Sequence, residues 1–585
     1  MSNKYENYSR DELIERIEEL RKQLNNEKFG LYFDRKIFPE DIAEKSKNNI
    51  PILTRCSNLD LKKGDIENLL IEGDNLHALI ALNLIKPKDG LVDVIYIDPP
   101  YNTGAKDWKY NNDYVDSEDG FRHTKWLNMM EKRLVLARDL LKDTGTIIVA
   151  IDHYELFQLG MLLNQIFGED NKYGVITVVH KPEGRQFTKG LNPTNEFYLI
   201  YGKDRTKGSL INVPLTEKKA SEFNMVDSKG KYRLEPYMRI KDGTLNNREN
   251  KPNNWFPVYV KTESREISLD YSKGFKEVFP IYNGIEKSWS TGKDLFRDNI
   301  NNDDVDFTVE NDEIIIYKKY REQESIKTHW IKKEYNATVF GTKILNDILV
   351  STEFNFPKSI YAVIDALKIS SSKDAVVMDF FAGSGTTGQA VLDLNAIDGG
   401  NRRFILCTNN ESNIMSDVCY PRLKTVITGK RSNGTMYSEG SQTNLRFLKT
   451  EIIKDNDSRD QAKYNLVEQI DTLLCIQENT FEKYINTDLF NAYKNINEDK
   501  IMAIYNDYFE KDFFEDMIDQ IAKTKAKTYV VYYFSLDNNI DEALEAMVVE
   551  KISNAIVRPI PSKIYEIYKK ISEDLRRNYW YGKNS

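Results

Sequence analysis

The run VDVIYI (92–97) constrains the fold most, because six residues that are apolar but for Asp93 end directly in Asp98-Pro99-Pro100-Tyr101. A run of that length without polar alternation reads as a strand buried on both faces, in a parallel sheet covered by helices. A second such run, DAVVMDF (374–380), opens into FAGSGTTG. Around the two, strand and helix patterns alternate. LLIEGDNLHALIALNL starts at 69, a helix is expected over 126–141, a strand over 145–153, a helix to about Phe167 and a strand near 175–180. The alternation returns with a helix over 357–372, another over 389–396 and the strand RRFILCT at 402–408. This rhythm predicts a doubly wound α/β sheet.

Between about 205 and 340 the rhythm stops. That stretch is rich in Asn, Lys and Asp, with short alternating strands such as NWFPVYV (254–260) and EIIIYKKY (313–320). It is expected to be an inserted, mostly β domain, so that the sheet is assembled from both sides of it. The predicted organisation is an N-terminal helical and linker region (1–68), a first α/β half (69–204), the insertion (205–340), a second α/β half (341–429) and a C-terminal α+β region (430–585). In the last region, helices are expected around 465–523, a strand at 528–536 and a final helix from Ser562 to Arg577. Leu13, Ile17, Leu20 and Leu24 form an apolar stripe on a helix over 11–28, suited to a short coiled coil or to docking.

Composition narrows the class. At 40% hydrophobic and 30% charged residues the chain is neither disordered nor fibrous. No apolar run reaches a membrane span and the N-terminus is polar, so a cytoplasmic protein is expected. Cys56, Cys407, Cys419 and Cys475 lie far apart, and no metal site is expected. The net charge of −9 argues against nucleic acid, yet residues 180–300 hold 22 basic against 16 acidic side chains. That local +6 is either an electrostatic footprint or compositional noise.

The two loops carry the chemistry. In Asp379-Phe-Phe-Ala-Gly-Ser-Gly-Thr-Thr-Gly388, Gly383 and Gly385 let the backbone turn tightly and approach a ligand at a helix N-terminus. GSGTTG also satisfies the dinucleotide pattern, so a nicotinamide or flavin site is the rival. A carboxylate directly before the loop is badly placed for a pyrophosphate, which favours a ligand with a ribose and an amino-acid tail, S-adenosylmethionine. At the other loop, Asp98 and the Pro99 carbonyl can accept from an exocyclic NH₂ while Tyr101 stacks on a planar base. The plain alternative is a turn in which Pro-Pro merely ends a strand.

These segments resemble an adenine-N6 DNA methyltransferase of the β arrangement, whose catalytic half precedes its cofactor half, and most closely the modification subunit of type III restriction–modification systems. GDNLHAL (73–79), DVIYIDPPYNTG (93–104), HTKWLNMMEKRL (123–134), DFFAGSGTTG (379–388), GGNRRFILCTNNE (399–411) and VRPIP (557–561) carry the resemblance. It implies a Rossmann-like S-adenosylmethionine-dependent fold, circularly permuted, with a target-recognition domain in 205–340. Asp98, Pro99, Pro100 and Tyr101 would be catalytic. Asp379, Phe381, Ala382, Gly383, Gly385 and Thr386 would hold the methionine end of S-adenosylmethionine, Asp74 its adenine amino group, and Glu411 or Asn410 its ribose. Phe356-Pro357-Lys358-Ser359 stands where the family has a Lys-Pro pair, and the Ser departs from it.

The target base must leave the duplex to be methylated. Trp108, Tyr110 and Tyr114 could line its channel or belong to the core. Lys181, Arg185 and Lys189 could contact phosphates or be merely solvated. The implied partners are double-stranded DNA, a second copy of the chain, and a separate ATP-dependent helicase–nuclease subunit, since no GxxxxGK[ST] loop is present. A solitary or phage-borne methyltransferase and an N4-cytosine methyltransferase stand as alternatives.

Overall fold

The computed structural model describes residues 31, 33–34, 40–46, 49–110, 113–184, 191–211, 221–240, 243–310, 312–321, 326–352, 354, 357–454, 469–505, 512–534, 542–560 and 562–577. The helix expected over 11–28 lies outside them. The chain forms two compact units, Met1–Ile211 with Lys327–Ser585, and Asn212–Ile326.

In the larger unit one mixed sheet contains β1 (Asn49–Arg55), β2 (Ile66–Glu72), β3 (Val92–Ile97), β4 (Leu141–Ile151), β5 (Lys172–Val179), β6 (Asn195–Gly202), β7 (His329–Trp330), β8 (Val376–Asp379), β9 (Arg403–Thr408) and β10 (Thr443–Lys454). Their order is β1-β10-β2-β9-β8-β3-β4-β6-β5-β7. From β10 to β4 every pairing is parallel. On one side β1 is antiparallel to β10, and on the other β6 is antiparallel to both β4 and β5. The run VDVIYI is β3 at the centre, with all but Asp93 buried, as a continuously apolar strand requires.

Helices cover both faces. Helices α1 (Asn75–Leu84), α2 (Arg122–Leu140) and α3 (Leu156–Phe167) bury Leu79, Met130, Leu134 and Leu162 in one core with Ile95, Ile97, Ile147 and Val149. The opposite face takes α4 (Ile360–Ser370), α5 (Thr386–Asp398) and α6 (Tyr420–Thr428), with Gly388 of α5 set tightly against Leu406 of β9 and Leu423 of α6. Among the described residues, no helix is long and apolar enough to cross a membrane.

Three strands fall outside the expected α/β halves, among them β7, which lies near the end of the predicted insertion but belongs to this sheet. β1 comes from the N-terminal region, and β10, drawn from the C-terminal region, lies between β1 and β2. Polar residues at buried positions disguise β10. Arg446 is fully buried and bonds Glu67 through Nε at 2.7 Å and Nη2 at 2.6 Å, while the Asn444 side chain donates to Glu67 at 3.0 Å. Within 465–523 the helices Asp471–Glu478 and Asp512–Ala522 are joined by three strands, Glu482–Asn486, Phe490–Lys494 and Lys500–Tyr505. KIMAIY is almost wholly buried, and periodicity alone cannot separate such a run from a buried helix. With Thr528–Phe534 and Ala555–Ile560 these strands form a second, five-stranded sheet.

The smaller unit has its own core, in which Tyr237, Phe256, Trp289, Phe296 and Phe307 pack together. A four-stranded sheet orders Val305–Glu310, Glu313–Arg321, Gly230–Pro236 and Met225–Asp227, and a three-stranded sheet centres on Val258–Lys261. The positive balance of 180–300 does not describe this unit: residues 212–326 hold 19 basic and 21 acidic side chains. Acidic residues late in the unit pair with its own cations, Asp303 with Lys319 at 3.1 Å and Asp304 with Arg321 at 3.1 Å.

Candidate active site

The chain leaves β8 toward β9 on one side and leaves β3 toward β4 on the other, so β8 and β3 are neighbours at the point where the winding reverses. Open α/β sheets bind ligands in the crevice beyond such a pair. Val377 and Met378 lie beside Val94 and Ile95, which brings Asp379 and Asp98 to the same edge.

The glycine loop is ordered by its own backbone. Asp379 is buried, and its carboxylate accepts from the Phe381 N–H at 2.9 Å and the Thr387 hydroxyl at 2.5 Å. Burial pushes this carboxyl up to about 7 in spite of those two donors. The Ala382 N–H donates to the Cys407 carbonyl at 3.1 Å. Gly383 has φ +50° and Gly385 φ +78°, a region that side chains occupy at a cost. A methyl group built on Gly383 would meet only the Phe381 carbonyl, at 3.8 Å, so the backbone there is open to a ligand. Buried Arg422 donates to Ser384 Oγ at 3.1 Å and Thr386 Oγ1 at 2.8 Å, and burial lowers its pKa to about 10. It ties the loop to α6.

The DPPY end is built from distant parts of the chain. The Trp126 indole donates to the Pro100 carbonyl at 2.7 Å and holds the loop to α2. Lys358, just before α4, places Nζ 3.3 Å from Asp98 Oδ1 and 4.5 Å from the Tyr101 ring centre. It also pairs with Glu196 and donates to the Tyr101 hydroxyl, which in turn donates to Glu196 at 3.1 Å. Burial pushes the Asp98 carboxyl above its ordinary range, against the pull of Lys358, and Glu196 adds to the rise. Burial acts the same way on Glu196, but Lys358 and then His180 outweigh it and hold that carboxyl below its usual value.

Behind Tyr101, Asn102 is buried with φ +57°. Its side chain donates to Glu155 at 2.5 Å, and Glu155 also bonds His123 at 2.5 Å. Burial raises the Glu155 carboxyl.

The other expected site residues divide. Asp74 follows β2 and caps α1, with Oδ1 accepting from the Leu76 N–H at 2.7 Å and lying 3.4 Å from Arg133. Asn410 follows β9 and accepts from the Met415 and Ser416 N–H groups, both at 3.1 Å. Glu411 is exposed and pairs with Lys109. Lys181 lies in the turn after β5, whereas Arg185 and Lys189 lie outside the described residues. Trp108, expected as a DNA contact, belongs to the core: it is 8% exposed and its indole donates to Asn102 at 3.0 Å. Packing accounts for that aromatic among polar neighbours, whereas Tyr114 is exposed.

Glu196, Glu155 and Arg422 were not singled out from the sequence. A signal for Glu196 was present, since in NEFYLIYG it shares the period-2 face of Tyr198 and Ile200, both buried.

Comparison with known proteins gives this edge its context. The N6/N4 methyltransferase family, described as DNA methylase, matches residues 92–416. The type II methyltransferase M.KpnI of Klebsiella pneumoniae is 31% identical over 414 residues, covering 68% of this chain and 96% of that protein. The Mod subunit of the type III restriction-modification enzyme EcoPI, of Escherichia phage P1, is 30% identical over 438 residues, 69% of this chain and 67% of its own. Among solved structures, the M1.HpyAVI–SAM complex aligns with 61% of this chain and 98% of its own, at 12% identity and a TM-score of 0.28. With both loops inside the matched span, the chain belongs to the N6/N4 DNA methylase family and is an S-adenosylmethionine-dependent DNA methyltransferase.

Proposed function

We propose that the chain methylates the N6 amine of an adenine turned out of duplex DNA, as the modification subunit of a type III restriction–modification system. The observation that carries the reading is that the Asp98–Tyr101 loop and the glycine loop, with its open backbone at Gly383, follow neighbouring strands at one switch point. The methyltransferase domain is read as circularly permuted, of the β arrangement, with residues 205–340 inserted between its halves.

S-adenosylmethionine supplies a methyl group already activated on sulfonium sulfur. Asp379, Phe381, Ala382, Gly383, Gly385 and Thr386 hold its methionine end, Asp74 its adenine amino group, and Asn410 or Glu411 its ribose. Asp98 and the Pro99 carbonyl accept the hydrogens of the target amine. The nitrogen lone pair is thereby drawn out of conjugation as positive charge develops on it. Tyr101 stacks on the base and offsets part of the cost of unstacking it. Incubation with labelled methyl donor and genomic DNA, followed by nucleoside analysis, should give N6-methyladenine. N4-methylcytosine would overturn the base assignment, and no methylated base despite tight cofactor binding would overturn the site.

Sequence recognition is assigned to 205–340, supported by the separate core of the smaller unit and its Arg and Asn side chains. Exchanging the segment with that of a relative of different specificity should transfer the recognised site. A chimera that kept the original site would place recognition elsewhere.

In the type III reading the enzyme is a homodimer, methylates without ATP, and works beside a separate ATP-dependent helicase–nuclease. A second reading has its own support: M.KpnI is matched over 96% of its length by 68% of this chain, so a solitary methyltransferase would not need the rest. Light scattering with and without a specific duplex separates the two. A fully active species with the mass of one chain would defeat the dimer.

A further inference from the structure

Every strand from β10 to β4 points its C-terminal end at the crevice, but β6 runs the other way and presents its first residues there. Ile151, the last residue of β4, pairs with Phe197, so Glu196 enters the crevice from the strand next to β4. Its side chain is 5% exposed. A buried carboxylate is costly unless paired, and the pairing here is with Lys358, which also reaches Asp98.

The arrangement has a definite charge. Asp98 and Lys358 alone would be neutral toward an incoming amine, and Lys358 would occupy the oxygens that must accept the amine hydrogens. With Asp98 and Glu196 ionised and the neighbouring His180 neutral, two carboxylates share one ammonium and the cluster is net −1. Nζ is then drawn toward Glu196 and the Tyr101 hydroxyl, and Asp98 keeps acceptor capacity on the side of the base. A fixed negative charge in a partly buried crevice stabilises a nitrogen that turns cationic during methyl transfer, since interactions there are less screened than in water. The Tyr101 hydroxyl donates to the same carboxylate, which fixes the ring that faces the base.

We infer that Glu196 is a positioning residue for methyl transfer: it holds Lys358 between two carboxylates and anchors Tyr101, leaving Asp98 with one uncompensated negative charge for the target amine. The inference rests on the reading of Asp98 as the amine acceptor. It adds a residue from outside the DPPY and glycine loops, on the antiparallel strand β6.

The test uses single-turnover methyl transfer and S-adenosylmethionine affinity on the full chain for Asp98→Asn, Glu196→Gln, Lys358→Met and Glu196→Gln/Lys358→Met. Glu196→Gln leaves a neutral cluster and should slow transfer by roughly tenfold to a hundredfold, with cofactor affinity within about twofold of the parent. Lys358→Met leaves two unpaired carboxylates that share one proton; the share held by Asp98 removes acceptor capacity from the target amine, so transfer should also be slow. The double variant restores net −1 on Asp98 and should be faster than either single variant, an outcome that mere loss of packing does not produce. A wild-type rate for Glu196→Gln, or a double variant slower than both singles, would overturn the inference. If Glu196→Gln fails to fold, as judged by cofactor binding, the comparison of Lys358→Met with the double variant still decides it. If Asp98→Asn transfers at the parent rate, the acceptor reading itself has failed. If Asp98→Asn is inactive while Glu196→Gln is normal, only the role of Glu196 falls.

Discussion

The ends of β8 and β3 lie side by side at the crevice, and they are held in opposite ways. After β8, the glycine loop satisfies itself locally: Asp379 bonds residues two and eight positions further along, and Gly383 and Gly385 supply the positive φ angles. After β3, the DPPY loop is held by groups far away in the chain, Trp126, Glu196 and Lys358. The first arrangement buries one carboxylate without a cation; the second surrounds an ammonium with carboxylates. A backbone cradle suits a ligand that must fit the same way each time. A charge cluster suits a step in which charge appears and disappears, because its field is set before the reaction begins.

The comparison separates binding from turnover, and Asp98→Ala should separate them most. Removing an acceptor at the developing charge should cost on the order of 3 kcal/mol, roughly a hundredfold in rate. S-adenosylmethionine affinity, measured by calorimetry, should change little, since the proposed cofactor contacts lie largely on the other loop. A near-normal single-turnover rate would break the division between the two ends.

The next effect concerns the lone carboxylate. Asp379 titrates at about 7 in the fold against 3.8 ordinarily, because of burial. The folded protein therefore binds this proton more tightly than the unfolded chain. The resulting stability is fully present below about pH 4 and is lost as pH rises through about 7. Between pH 5 and 7 the loss amounts to about 2 kcal/mol. Asp379→Asn cannot titrate, so the difference in melting temperature between parent and variant, both without cofactor, should change over that window. A difference that stays constant from pH 5 to 7 would mean that the carboxylate is paired in a way the loop does not reveal.

What could be read from the chain follows the same division. Both loops, the central strands and the interrupted winding were legible, because VDVIYI and DAVVMDF are continuous apolar runs and the loop residues act through their own backbones. Strand β10 was not legible, since Asn444 and Arg446 look like surface residues until Glu67 is brought to them. Glu196 was missed for the same reason: its partners lie 95 and 162 positions away. Trp108 is the reverse case: of the two places open to it from the sequence, base channel or core, Asn102 draws it into the core. A charge count over 180–300 misled because it stopped short of the acidic residues that neutralise the smaller unit. Pairing across long sequence separation is what a single sequence hides.

The smallest effect sharpens the contrast inside the glycine loop, between Gly383 and Gly388. An alanine at 383 finds no protein atom nearer than 3.8 Å, but it must adopt φ +50°, which costs about 1 kcal/mol. An alanine at 388 sits in the first turns of α5 and gains about 1 kcal/mol of helix propensity. Its methyl, however, would stand 2.8 Å from both Leu406 Cδ1 and Leu423 Cδ2, in a core where each leucine is fully buried. Overpacking of this kind costs about 1–3 kcal/mol, so the net loss should be about 1 kcal/mol. The two variants should therefore melt within a few degrees of each other. Cofactor affinity should tell them apart: Gly383→Ala places its methyl where the backbone is open to the ligand and should weaken S-adenosylmethionine binding, whereas Gly388→Ala, which faces the sheet, should leave it nearly unchanged. Equal affinities for the two variants would remove Gly383 from the cofactor contact and leave the loop a purely structural turn.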